Sequence, residues 1–181
     1  MKRETWGGAR ANAGRPAKGP IASEPHKTRP RLHARHPVHV RARLAQKLRG
    51  RLPRGRAYRA LRRAITLSLA RDDFRIVHIA VLPTRLELVV EAADKDALAR
   101  GMQGFQVSAA RCLNRAAGRR GNVFPDRYAM EILDTRAAVR ALAGALPPMS
   151  QVVNGETWLV RVELARHVRP RRWIRGRAED D

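Results

Sequence analysis

Phe74-Arg75-Ile76-Val77-His78-Ile79-Ala80-Val81-Leu82, then Pro83-Thr84, then Arg85-Leu86-Glu87-Leu88-Val89-Val90-Glu91-Ala92, is the stretch that decides the fold. Two runs rich in β-branched and aliphatic residues flank a short break, which reads as an antiparallel strand pair. In that register Val77, Ile79 and Val81 share one face with Leu86, Leu88 and Val90. The opposite face carries His78, Ala80, Arg85 and Glu87. A slip of one residue would bury the charges, so the pairing is well specified.

Working outward, Val38, Val40, Ala42 and Leu44 alternate with His39, Arg41 and Arg43, the period of a half-buried strand. After Pro53-Arg54-Gly55, the residues Tyr58, Leu61, Ile65 and Leu69 recur at helical spacing. Arg59, Arg62 and Arg63 fill the rest of that surface, so the helix is amphipathic. Downstream, Asp94–Gly118 is the clearest helix, with a stripe of Leu98, Met102, Phe105, Ala109, Cys112, Leu113 and Ala116. Gly118 and Gly121 suit its terminus. Asn122–Leu133 reads as a strand, and Thr135 can cap a helix over Arg136–Leu146 that Pro147-Pro148 ends.

The order β-α-β-β-α-β-α predicts an α+β fold, a ferredoxin-like antiparallel sheet with helices mainly on one face. Residues 1–34 hold Gly, Pro, Lys and Arg with almost no aliphatics, so they read as a flexible basic arm. Residues 35–148 form the domain, and residues 149–181 a partly docked C-terminal extension in which Trp158, Leu159, Val160, Val162 and Leu164 supply apolar surface.

Lys and Arg number 38 against 16 Asp and Glu, a formal net charge of +22. A GC-rich genome explains Arg in preference to Lys, but not the shortage of acids. Such asymmetry points to a polyanionic partner, most directly nucleic acid. Cys112 is the single cysteine, so no intrachain disulfide forms, and its apolar setting reads as core. No apolar run reaches transmembrane length, and the first residues lack the apolar stretch of a signal peptide. A cytoplasmic location and no membrane partner are the expectations.

Several segments in order resemble the single-tyrosine HUH nucleases, especially the REP-associated tyrosine transposases. They are Arg35-His36-Pro37-Val38-His39-Val40, Arg75-Ile76-Val77-His78-Ile79, Leu98 to Gly104, Leu113 to Ala116, Val123-Phe124-Pro125-Asp126-Arg127-Tyr128 and Thr157-Trp158-Leu159. The likeness runs from about His33 to Leu164, a domain-sized block. It implies a bacterial, nucleoid-associated protein whose ligand is DNA, single-stranded or hairpin, and a homodimer. In active relatives two histidines, one residue apart on this strand, hold Mg or Mn, and a helix tyrosine attacks phosphorus to form a phosphotyrosine link.

Here Arg85-Leu86-Glu87 stands at the His-hydrophobic-His position, and Ala141-Leu142-Ala143-Gly144-Ala145-Leu146 where the tyrosine falls. A guanidinium has no lone pair for a metal, so Arg85 is no ligand. Glu87 is the one weak metal candidate, and no cofactor is expected. Tyr58 lies on a helix stripe and reads as core; Tyr128 reads as packing or a phosphate contact.

The expectation is a catalytically lapsed DNA-binding relative of these transposases. Its nucleic-acid-binding residues would be His39, Arg41, Arg43, His78 and Arg85 on an open sheet face, with Arg62, Arg63, Arg119, Arg120 and Arg127 extending the track. A non-enzymatic RNA-binding module is an alternative, although strands 38–44, 76–82 and 85–92 offer no aromatic for base stacking. An active DNA transposase with a metal site rebuilt from His39, His78 and Glu87 is another.

Overall fold

A computed structural model describes residues 28–48, 53–68, 71–145 and the positions 150, 151, 157, 171 and 172. Strand β1 (Val38–Arg43) leads through a short 3-10 turn at Gln46–Leu48 to helix α1 (Arg54–Ser68). Strands β2 (Phe74–Val81) and β3 (Arg85–Ala92) form the hairpin, followed by helix α2 (Lys95–Ala116), strand β4 (Ala129–Ile132) and helix α3 (Arg136–Ala145). Two short strands, β5 (Ser150–Gln151) and β6 (Arg171–Arg172), extend one edge. The spatial order is β4-β1-β3-β2-β5-β6, with β4, β1, β3 and β2 antiparallel to their neighbours. This is the expected α+β arrangement.

Helices α1 and α2 pack together on one face of the sheet, over an aliphatic layer of Val38, Val40, Ile76, Ile79, Leu86, Leu88 and Val90. Their inward stripes, including Leu61, Ile65, Leu98, Met102 and Phe105, are all buried. Asp94 caps α2, its carboxylate accepting from the backbone N–H groups of Asp96 at 2.9 Å and Ala97 at 2.7 Å. Gly101 brings α2 against the sheet: a Cβ there would collide with the Phe74 ring. At the far end Gly118 turns the chain with φ of +60°, the left-handed region that favours glycine.

Helix α3 lies on the other face. Thr135 caps it, with Ala138 N–H donating to Oγ1 at 3.1 Å. Val139 and Leu142 bury a second, smaller core with Val77, Ala80, Val89 and Leu133. Val77 thus departs from the expected register, which placed it with Ile79 and Val81. A β-bulge between Ile76 and His78 is the reason: Ile76 pairs with Val90 and His78 with the adjacent Val89, leaving Val77 unmatched. The extra residue turns Val77 toward α3.

Other boundaries also differ from the reading of the sequence. Pairing of the fourth strand is confined to Ala129–Ile132. Ala45 N–H donates to the Val123 carbonyl at 2.8 Å, and Pro125 has no N–H for a ladder. The core reaches Leu32, which is buried, so packing begins before residue 35. Residues 1–27 and most of 146–181, including Trp158, lie outside the described residues. No described helix is long and apolar enough to cross a membrane.

Candidate nucleic-acid interface

The α3 side of the sheet holds Arg85 and Glu87, and its layout follows from strand alternation. Cross-strand partners place His39, Val89 and His78 in one row, Arg41, Glu87 and Ala80 in the next, and Arg43 with Arg85 beyond. Helix α3 packs on Val89 in the first row and on Ala80 in the second. The last row is at the sheet's end, beside the Pro83-Thr84 turn, where Leu44 N–H donates to the Thr84 carbonyl at 2.8 Å.

His39 and His78 therefore do not sit on an open face. They are 5 % and 4 % exposed, and neither Nδ1 has a hydrogen-bond partner among the described residues. Burial pushes the His78 imidazole down to about 4 and lowers that of His39, where the Glu87 carboxylate partly opposes the effect. Both are neutral at physiological pH and out of reach of a phosphate. The sequence suggested nucleic-acid contacts for them; their burial speaks against that reading.

Arg85 and Glu87 are paired with each other. Arg85 Nε donates to Glu87 Oε1 at 2.6 Å, with the Glu87 side chain 5 % exposed and that of Arg85 45 %. His39 Nε2 lies 3.8 Å from Glu87 Oε2, beyond hydrogen-bond reach. No three His, Cys, Asp or Glu side chains converge as a metal cluster among the described residues. Of the imagined His39, His78 and Glu87 site, the structure brings two members near one another. Gly144 is exposed, with open space where a side chain would begin.

Around this pair the end of the sheet is basic. Arg41 is exposed, and Arg43 is half-buried in an ion pair with Asp126 at 3.0 Å. That bond draws the 122–128 segment, with the half-buried Arg127, to the same end. Arg119 and Arg120 occupy the turn after α2, where Arg119 donates to the Asn122 carbonyl at 3.3 Å and Arg120 is exposed. Arg62 and Arg63 are elsewhere, on the outer surface of α1 across the sheet. The ten residues picked out from the sequence thus separate into a buried pair of histidines, a basic sheet end with its neighbouring turn, and a helix ridge.

Three features were not legible in the sequence. Arg56 joins Arg59, Arg62 and Arg63 on the α1 ridge, where the signal was a helix of 15 residues without one acid. Arg29 lies over the Tyr128 ring at 3.8 Å and donates to the Tyr128 carbonyl at 3.0 Å, a contact across 99 residues that no local pattern announces. Glu91 is buried on the α3 side, accepting from Thr157 N–H at 2.8 Å and Thr157 Oγ1 at 2.7 Å, with Arg75 at 3.7 Å. These contacts tie the C-terminal segment to the sheet.

No protein-family model matches the chain, and no curated protein matches it in sequence. Solved structures do match it. A REP-associated tyrosine transposase bound to a REP hairpin superposes with a TM-score of 0.50 at 16 % identity, over 66 % of this chain and 69 % of that one. A Deinococcus radiodurans protein assigned as a transposase aligns with a TM-score of 0.43 at 12 % identity, over 69 % of this chain and 95 % of its own. The resemblance carried by the sequence segments and the superposition on the first of these structures agree: the chain has a transposase-like fold.

Proposed function

We infer that this chain is a DNA-binding protein that keeps the transposase-like scaffold and has lost the phosphotyrosine chemistry, with single-stranded or hairpin DNA as its ligand. The observation that carries the reading is the Arg85–Glu87 pair at 2.6 Å. Where a metal would polarise a scissile phosphate, a cation now neutralises the one remaining carboxylate. The arginine points the same surface toward phosphate as a binding group, since guanidinium forks suit phosphate oxygens. The net charge of +22 supplies the long-range attraction. Phosphate contacts then provide most of the affinity and the base sequence little of it.

The test is a salt series with the full chain on hairpin, single-stranded and duplex DNA, followed by incubation with Mg²⁺ or Mn²⁺. Binding that weakens steeply with salt, without nicks or a denaturation-resistant adduct, is expected. Salt-independent binding would overturn the electrostatic account. A covalent protein–DNA adduct would overturn the lapse.

A further inference from the structure

Helix α1 puts five arginines and no acid into 15 residues. Arg56, Arg59, Arg62 and Arg63 are exposed on it, and none forms a salt bridge among the described residues. They lie on the side turned away from Ala57, Leu61, Ala64 and Ile65, which are buried in the main core. Arg59 has a like charge three residues away on either side, and Arg63 one turn further on. Every such pair disfavours the helix. The first turn also lacks an acid to complement the helix dipole. Composition bias does not cluster charge in this way: α2 holds three arginines in 22 residues, and Arg100 among them is paired with Asp73 at 3.1 Å. The ridge does nothing for the fold. Its complement is an anion outside the chain.

We propose that one chain holds two separate DNA segments, a duplex along the α1 ridge and a hairpin or single strand at the basic sheet end, and so bridges them. The proposal rests on the DNA-binding reading and adds to it a second site and a bridging role. Placement argues for two sites. Arg41 and Arg85 belong to the α3 side of the sheet, and α1 covers the other side. A body of this size is about 40 Å across, and duplex DNA is stiff over about 150 base pairs. One short duplex cannot fold back round the body to meet both surfaces.

The side chains of the ridge favour a duplex as its occupant. Among the described residues of α1, the other exposed ones are Gly55 and Thr66, so the ridge has no ring to stack a base and no amide to read an edge. Guanidinium groups meet phosphates without reading sequence. From Arg56 to Arg63 the ridge extends over about 10 Å of helix. Duplex DNA presents about one charge per 1.7 Å of its axis, the dense row of phosphates that such a ridge matches. At the sheet end, Arg85 is matched to Glu87 and Arg43 to Asp126, so a duplex fills the unmatched ridge first.

The experiment is native mass spectrometry of the full chain with two DNAs of different mass, a hairpin and a duplex of about 20 base pairs, well below the persistence length. A complex of one chain, one hairpin and one duplex is expected, and its share should fall as salt rises. Arg59→Ala/Arg62→Ala/Arg63→Ala and, separately, Arg41→Ala/Arg120→Ala should each reduce that ternary species by about tenfold or more, leaving one chain with one DNA. All five side chains are exposed, so both variants keep the fold, which circular dichroism checks. Wild type that forms only binary complexes overturns the second site and leaves DNA binding standing. A ternary species that contains two chains overturns it too, because each chain then holds one DNA. So does a ternary species undiminished in either variant. A ridge variant that binds no DNA has the same force, since the ridge is then the single site. Wild type that binds neither DNA overturns the DNA-binding reading and the bridging together.

Discussion

The two sides of the sheet handle charge in opposite ways. Beneath α1 and α2 the interior is aliphatic, and the charge sits outside: Arg56, Arg59, Arg62 and Arg63 are exposed and form no salt bridge among the described residues. Beneath and beside α3, charge and titratable groups go inside. His39, His78, Glu87 and Glu91, every buried histidine and carboxylate among the described residues, lie on that side. Its arginines are largely matched to acids, Arg85 to Glu87, Arg43 to Asp126 and Arg75 to Glu91. One side is therefore a scaffold with an unmatched electrostatic ridge, and the other a face whose buried charges are largely paired with one another.

The sharpest way to break this comparison is pH. The His78 value of about 4 in the folded chain lies below the ordinary 6.5, so the unfolded chain takes up the proton first as pH falls. Stability is complete above pH 6.5 and is lost progressively between there and about 4, by about 3 kcal/mol for this one group. His39 is displaced in the same direction by burial, and Arg41 and Arg85 reinforce the effect while Glu87 and Glu131 oppose it. Urea unfolding at neutral and acid pH should show the loss, and His78→Gln should flatten most of it. A profile unchanged by that substitution would place the acid sensitivity elsewhere in the fold.

The second test removes the ridge. Arg59→Ala/Arg62→Ala/Arg63→Ala should cut DNA affinity by about two orders of magnitude at physiological salt, and lower the logarithmic salt slope by about 2.7 if each side chain meets one phosphate. Thermal stability should hardly change, because these side chains are exposed and without acidic partners among the described residues. An unchanged slope would make the ridge ordinary solvated surface and leave binding to the sheet end. The opposite pattern is expected of Arg85→Ala. It strands a buried carboxylate, which costs about 1–2 kcal/mol once the partial exposure of the arginine is allowed for. Adding Glu87→Gln should recover part of that loss, as measured by denaturant midpoints. No recovery would mean that the pair does not act as a unit.

The same contrast governs what could be read from the sequence. The helix-layer side was legible because aliphatic alternation in β1 and β3 and the stripes of α1 and α2 repeat at fixed periods. The capping role of Thr135 was equally local. On the other side, strand alternation placed His39, His78, Arg85 and Glu87 on one face but could not reveal their exposure. That depended on where α3 folds back, and its few apolar residues do not specify which face they cover. The bulge at Val77 was hidden for a related reason: an unbroken run of apolar residues masks an inserted one. The contacts of Arg29 with Tyr128 and of Glu91 with Thr157 join segments distant in sequence, and no periodicity encodes such pairs.

The smallest expected effect concerns Gly144, which the sequence resemblance sets where the transposases carry their tyrosine. Successive helical residues advance about 100°, so Gly144 lies about 200° around α3 from Leu142 and roughly opposite the buried side. A tyrosine there meets open space and replaces a poor helix former, so Gly144→Tyr should alter stability by no more than about 0.5 kcal/mol, in the favourable direction. Its phenol would point away from Glu87 and Arg85. Even with Arg85→His and Glu87→His restoring a pair of ligands, the variant should bind Mn²⁺ more tightly than wild type and still leave hairpin DNA uncut. Calorimetry and a denaturing gel report the two halves separately. A covalent adduct from the triple variant would mean that α3 can turn its outer side to the sheet, or that a second chain supplies the tyrosine. Either outcome would recast the α3 side from a closed face into a site that lacks only reactive groups.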